Sequence, residues 1–153
     1  MDDYLPDAGL KQLRDASDLV VLGHVVNTAS GIRISEDPNV EYTILTVSVD
    51  EVLKGNAGKT VDVALLTHIR RAAVGFDGRP TPKRGDRGVW LLTAIAPEFK
   101  REGYVLTNQN SQLLVKSDGA GLIGGASSSP VAREIRELGG LPGVLNRLRE
   151  ASK

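Results

Sequence analysis

The chain has 153 residues, 41% of them apolar and 25% charged, a length and balance that suit one folded core and exclude an intrinsically disordered segment. Lysine plus arginine equals aspartate plus glutamate at 19 each, so no global field draws in a polyanion or an anionic membrane. With no cysteine, disulfides, thiolate metal sites and cysteine nucleophiles are all excluded.

The start, Met1-Asp2-Asp3-Tyr4-Leu5-Pro6, is acidic and lacks the basic segment and apolar run of a signal peptide. No stretch approaches the roughly 20 apolar residues that span a bilayer as a helix. A soluble protein is expected, either cytoplasmic or exported with its signal already removed.

Residues 6–17 read as a short covering helix, with Pro6 in the first turn and Leu10 and Leu13 on one face. Residues 19–26, Leu-Val-Val-Leu-Gly-His-Val-Val, are β-branched and apolar on both faces, the pattern of a buried strand, and Gly23 marks a close backbone approach. Residues 27–39 read as a polar connection. Residues 40–53 alternate as a strand whose phase slips at Ile44-Leu45, where a β-bulge is expected. The turn Lys54-Gly55-Asn56-Ala57-Gly58 then leads into a hairpin partner carrying Val61, Val63 and Leu65.

Residues 69–88 hold four glycines and two prolines and read as a long loop. A strand follows at 88–95, then a weaker pair at 104–107 and 112–115. Residues 117–129 are glycine- and serine-rich, a linker or a loop lying on the barrel with Leu122 and Ile123 as anchors. Ser129-Pro130 starts a helix bearing Val131, Ile135 and Leu138, and after Gly139-Gly140 a second carries Leu141, Val144, Leu145 and Leu148. The fold class is therefore mainly β: a five- to six-stranded barrel or curled antiparallel sheet in one domain. The barrel spans about residues 18–116, with a short N-terminal helix and one or two C-terminal helices at 130–150 that read as separable from it.

Three segments stand in a telling order: Ala16-Ser17-Asp18-Leu19-Val20-Val21-Leu22-Gly23-His24-Val25, then Val47-Ser48-Val49-Asp50-Glu51-Val52-Leu53-Lys54-Gly55, then Lys83-Arg84-Gly85-Asp86-Arg87-Gly88-Val89-Trp90-Leu91-Leu92. Together they resemble a loosely defined group of bacterial, often exported, small β-barrel proteins. That resemblance covers residues 16–116 and implies an architecture like the oligonucleotide/oligosaccharide-binding (OB) barrel, shared with inhibitors of metalloproteinases. It implies an exported or cell-envelope setting and transfers no catalytic residue. The inhibitors' metal-chelating N-terminal cysteine has no counterpart here, which removes that activity.

The candidate chemistry is thin. His24 and His68 lie in apolar strand contexts without ligand spacing, so strand-end or edge histidines explain them better than a metal site. Ser127, Ser128 and Ser129 lack a nucleophile elbow, and helix capping accounts for Ser129. Gly119-Ala120-Gly121-Leu122-Ile123-Gly124 spells a dinucleotide fingerprint without the strand before it and helix after it that the fingerprint requires. Gly58-Lys59-Thr60 and Arg84-Gly85-Asp86 read as turn chemistry.

The loop from Ile69 to Gly88 sets Arg70, Arg71, Arg79, Lys83, Arg84 and Arg87 against only Asp77 and Asp86. These six cations are the candidate partner-binding residues. The expectation is a non-enzymatic binding or structural module without cofactor that presents its barrel face or this loop to a protein or glycan. The alternative is a nucleic-acid-binding barrel using the same loop, disfavoured by the shortage of aromatic stacking residues. The C-terminal helices could mediate a homo-oligomer.

Overall fold

The computed structural model describes residues 9–33, 39–69, 72–73, 83–95, 103–107, 112–115, 122–124 and 130–150. In chain order the elements are α1 (Leu10–Ala16), β1 (Leu19–Ile32), β2 (Val40–Lys54), β3 (Thr60–Ile69), β4 (Ala72–Ala73), β5 (Arg87–Ala94), β6 (Tyr104–Leu106), β7 (Gln112–Val115), β8 (Leu122–Gly124), α2 (Pro130–Leu138) and α3 (Leu141–Glu150). Five strands close a ring in the order β1-β2-β3-β6-β5, with β5 returning to β1. Only the β3–β6 contact in the ring is parallel. The sheet is thus a closed, barrel-like ring of five strands, carrying a short N-terminal helix and two C-terminal ones.

The doubly apolar run at 19–25 is explained by what lies on each side of it. Leu19, Val21 and Val25 point into the barrel with Leu45, Val47, Val61, Val63, Leu65, Trp90 and Leu92. Val20 and Leu22 point outward, with Val89 and Leu91 of β5 and Leu53 of β2, beneath Leu10 and Leu13 of α1, Ile135 of α2, and Leu141, Val144, Leu145 and Leu148 of α3. The helices therefore share a core with the barrel wall and are not a separable unit.

Ring closure is held by backbone and polar contacts at residues the sequence places tightly. Trp90 is fully buried, and its indole N–H donates to the Gly23 carbonyl at 3.2 Å. A Cβ at Gly23 would come within 2.5 Å of the Ser48 carbonyl oxygen. The Lys54 ammonium donates to the carbonyls of Arg14, Asp15 and Ser17 at 2.9, 3.3 and 2.5 Å, satisfying the orphan acceptors at the end of α1. Gly55 follows with φ of +83°, and a side chain there would meet the Asp18 carbonyl at 2.6 Å. At the other end of α1, Glu134 of α2 accepts from the Leu10 N–H at 2.8 Å.

Several details differ from the sequence reading. β1 runs through Ile32, absorbing much of the expected connection at 27–39, because its second half pairs with β2 as an exposed ladder without needing an apolar pattern. Ile44 and Leu45 stay in regular register with Ala64 and Val63, so no bulge lies there. Both are buried, Leu45 in the barrel and Ile44 on the opposite face, which mimics a phase slip. The register instead skips Leu53 and Asp50 on β2 and, on β1, Val26 and one residue between Ala29 and Ile32.

Segments 104–107 and 112–115 do not pair with each other. β6 lies against the C-terminal half of β5 and against β3, whereas β7 lies against the N-terminal half of β5. Closing the ring requires β6 between β3 and β5, leaving β7 to pair with β8, a strand where a linker or loop was expected. The glycine-rich fingerprint thus runs into a strand and not a helix. Helix α1 begins at Leu10 behind Gly9, later than the expected start at residue 6.

Replacing Gly23 by alanine should destabilise the protein by about 1–3 kcal/mol through overpacking against β2, read from urea unfolding by the fluorescence of the single tryptophan. Lys54→Met keeps the aliphatic stem and removes the cap, and a loss of about 1 kcal/mol in the same assay is expected. An unchanged midpoint would show that the three carbonyls do not depend on the ammonium.

Candidate binding face

The barrel interior is filled by side chains, and the helices cover the outer side of β1 and β5 around Val20, Leu22, Val89 and Leu91. Beyond that cover two outward rows are polar, ahead of the buried Ile44–Ala64 pair. Register aligns Arg87 of β5 with His24 of β1, His24 with Ser48 of β2, and Ser48 with Thr60 of β3, one row across four strands. A second row aligns Asn27, Thr46 and Asp62, where the Thr46 hydroxyl donates to the Asp62 carboxylate at 3.1 Å.

Asp50 joins the first row because it is the extra residue of a β2 bulge. Its Oδ2 lies 3.4 Å from His24 Nδ1 and 3.6 Å from Arg87 Nε, and the three side chains are 34%, 40% and 45% exposed respectively. The neighbouring Glu51 turns to α3, where its carboxylate accepts two bonds from the Arg149 guanidinium at 2.7 and 2.6 Å. That bidentate bond holds the Glu51 carboxyl below its usual value and raises Arg149. Lys11 does the same to Asp15 on α1, through a hydrogen bond at 2.8 Å.

Next to this row the chain enters β5 through a tight turn. The Lys83 N–H donates to the Asp86 carboxylate at 2.9 Å, Gly85 adopts φ of +96°, and Val25 exchanges backbone bonds with Gly85 and Asp86, each at 2.8 Å. Of the six predicted cations, Lys83, Arg84 and Arg87 are brought together here at the point where β1 leaves the ring. Lys83 lies 3.5 Å from Asp86. Arg70, Arg71 and Arg79 lie outside the described residues, as does Phe76. Turn chemistry accounts for Arg84-Gly85-Asp86, as expected.

Asp50 was missed by sequence reasoning, although one signal was present: two consecutive carboxylates, Asp50-Glu51, inside an alternating apolar strand, a pattern that a bulge resolves by sending both outward. His24 meets a carboxylate and has a serine as cross-strand neighbour, two of the relations of a hydrolytic triad. The Ser48 hydroxyl makes no hydrogen bond to His24, and the flanking backbone N–H groups belong to sheet ladders, where they cannot serve an oxyanion. His68 lies in β3 opposite Glu41 and Ala73. Among the described residues no three histidine, aspartate or glutamate side chains converge as metal ligands, and no helix is long and apolar enough to cross a membrane.

No model of a known protein family matches this chain, and no curated protein matches it.

The Glu51–Arg149 contact ties α3 to the barrel with a definite pH dependence. Because the folded carboxyl sits below the usual 4.5, its contribution is complete above 4.5 and is lost as pH falls through the lowered folded value. The melting-temperature gap between the wild type and Arg149→Met should be constant above that pH and close below it. A gap that persists unchanged into strong acid would show that the pair contributes nothing through charge.

Proposed function

We propose that the protein is a non-enzymatic binding module, working in an exported or cell-envelope setting, that recognises another protein through the polar outer face of β1, β2 and β3 around Asp50. The observation that carries this reading is the division of the barrel's exterior. One part is sealed by three helices, and the adjoining part displays the row Arg87, His24, Ser48 and Thr60 with Asp50 set into it. A filled interior leaves recognition to the outside. Side chains of both charge signs beside hydroxyls suit a polar protein surface.

A binding role is further supported by His24 resting on Asp50 and not on Ser48. Against the nucleic-acid reading, Lys83 and Arg87 each face a carboxylate, and Trp90 is wholly committed to the core. The exported setting rests on the resemblance of the three segments to exported barrel proteins.

The test pans a random peptide library on the wild type and on Asp50→Lys, with an array of envelope oligosaccharides and mixed-sequence single-stranded DNA as parallel probes. Peptides should be enriched on the wild type and lost at least tenfold on Asp50→Lys, while tryptophan fluorescence and melting stay unchanged. Equal enrichment on both proteins would overturn the assigned face. Binding of oligosaccharides alone would replace the protein partner by a glycan, and DNA binding that weakens steeply with salt would replace it by a nucleic acid.

A further inference from the structure

His24 of β1 and Arg87 of β5 stand directly opposite each other in register, so their side chains leave the sheet side by side on its outer face. Asp50 sets one carboxylate oxygen against both of them, with Oδ2 at 3.4 Å from His24 Nδ1 and 3.6 Å from Arg87 Nε. Each of the three side chains keeps a third or more of its surface exposed. Ser48 and Thr60 continue the row across β2 and β3.

One carboxylate thus stands between two groups that can each carry a positive charge. While the imidazole is neutral, Arg87 and Asp50 balance. With the imidazole protonated, two cations face a single carboxylate, and the cluster is short of one negative charge. The contacts to Asp50 are made by Nδ1 of the ring and Nε of the guanidinium, so imidazole Nε2 and the Arg87 Nη groups are the atoms that can meet a ligand. The neighbouring charges add to the attraction for an anion. On the turn that hydrogen-bonds Val25, Lys83 pairs with Asp86 at 3.5 Å and Arg84 is exposed. Asp62 lies one row further on, where it accepts from Thr46.

From this arrangement we infer that the partner protein places an aspartate or glutamate side chain against Arg87 and His24, and that His24 takes up a proton as it docks. The inference rests on the binding-face reading and names the partner's chemistry and its pH dependence. The incoming carboxylate accepts from the Arg87 Nη groups and from His24 Nε2–H, and the proton comes from solvent. Two carboxylates and two cations then form a neutral cluster. A doubly charged phosphate would leave the same cluster net negative, so a carboxylate is the match in charge. Asp50 is a positioning residue, the common point that holds both cations in place. A lysine at that position drives them apart by like-charge repulsion.

The probe is a random peptide library panned on the full chain at about pH 5.5 and about pH 8, either side of the range in which an imidazole titrates. Peptides enriched at the lower pH should share an aspartate or glutamate, and replacing that residue by its amide should weaken binding at least tenfold. Calorimetry of the acidic peptide in two buffers of different protonation enthalpy should show uptake of about one proton on binding. Affinity should rise by up to about tenfold per pH unit as pH falls from 8, level off once the ring is protonated before docking, and be lost near pH 4 as the peptide's own carboxyl is neutralised. His24→Gln should abolish the proton uptake and flatten the profile between 8 and 5.5. Arg87→Gln should bind the acidic peptide and its amide version equally.

If enriched peptides are lost on Asp50→Lys but tolerate the amide replacement, or bind without proton uptake, the carboxylate inference fails while the binding-face reading stands. Proton uptake that persists undiminished in His24→Gln assigns the proton to another group and also overturns it. If no peptide is enriched at either pH, both readings fail. The amide replacement and the buffer comparison are made on the wild-type protein, so they decide the matter even where a variant is poorly folded.

Discussion

The pairing of β1 with β5 is what turns a meander into a ring, and most of the architecture follows from the demands of that contact. A strand that is hydrogen-bonded on both sides and curved around a small interior has no polar face to spare. Its inward side fills the barrel and its outward side needs a separate cover. Leu19, Val21 and Val25 meet the first demand, and Val20 and Leu22 create the second. The three helices are that cover, which is why they gather over β1 and β5 and share one core with them. Curvature adds a steric limit, since β1 and β2 approach so closely at Gly23 that a methyl group has no room.

The segments 16–25, 47–55 and 83–92 are the hardware of this closure. Lys54 reaches across to cap α1, and Gly55 lets the chain turn directly against the Asp18 carbonyl. The Asp18 carboxylate accepts from the Ala94 N–H at 2.8 Å, and its own N–H donates to the Leu92 carbonyl at 2.8 Å, so the start of β1 is pinned to the end of β5. Gly85 and Asp86 form the turn that receives Val25. Asp18, Lys54, Gly55, Gly85 and Asp86 are each accounted for by a closing bond, a cap, a turn or a close approach. Such motifs can be shared by barrels of unrelated activity, because they encode how the ring shuts and not what it binds.

The same physics decides how much of this was legible in the sequence. The run at 19–25, the β2–β3 hairpin and the C-terminal helices were readable because local periodicity and turn residues specify them. The place of β6 was not, because its partners β3 and β5 are chosen by the global need to close the ring, and a three-residue strand has too little pattern to announce a parallel pairing. The second half of β1 was unreadable for the opposite reason: a strand exposed on both faces has no burial period at all. The candidate face depends on Asp50, whose position is set by a bulge. The two apparent phases around Ile44 and Leu45 drew attention to the wrong place, where both neighbours are buried on opposite faces.

That bulge joins the two halves of the exterior. In a regular strand Asp50 and Glu51 would point to opposite faces, sending one carboxylate into the barrel, where an unpaired charge is far more costly than an irregular ladder. The extra residue lets both emerge on the outside, Glu51 to clamp Arg149 of α3 and Asp50 to hold His24 and Arg87. The backbone that positions the polar row is thus the backbone that anchors the helical cover. The geometry of the face is supported by the apolar core beneath α3, whereas Val26–Ile32 lies past the last contact with β5 and, among the described residues, pairs with β2. The polar face thus begins where the pairing of β1 with β5 ends.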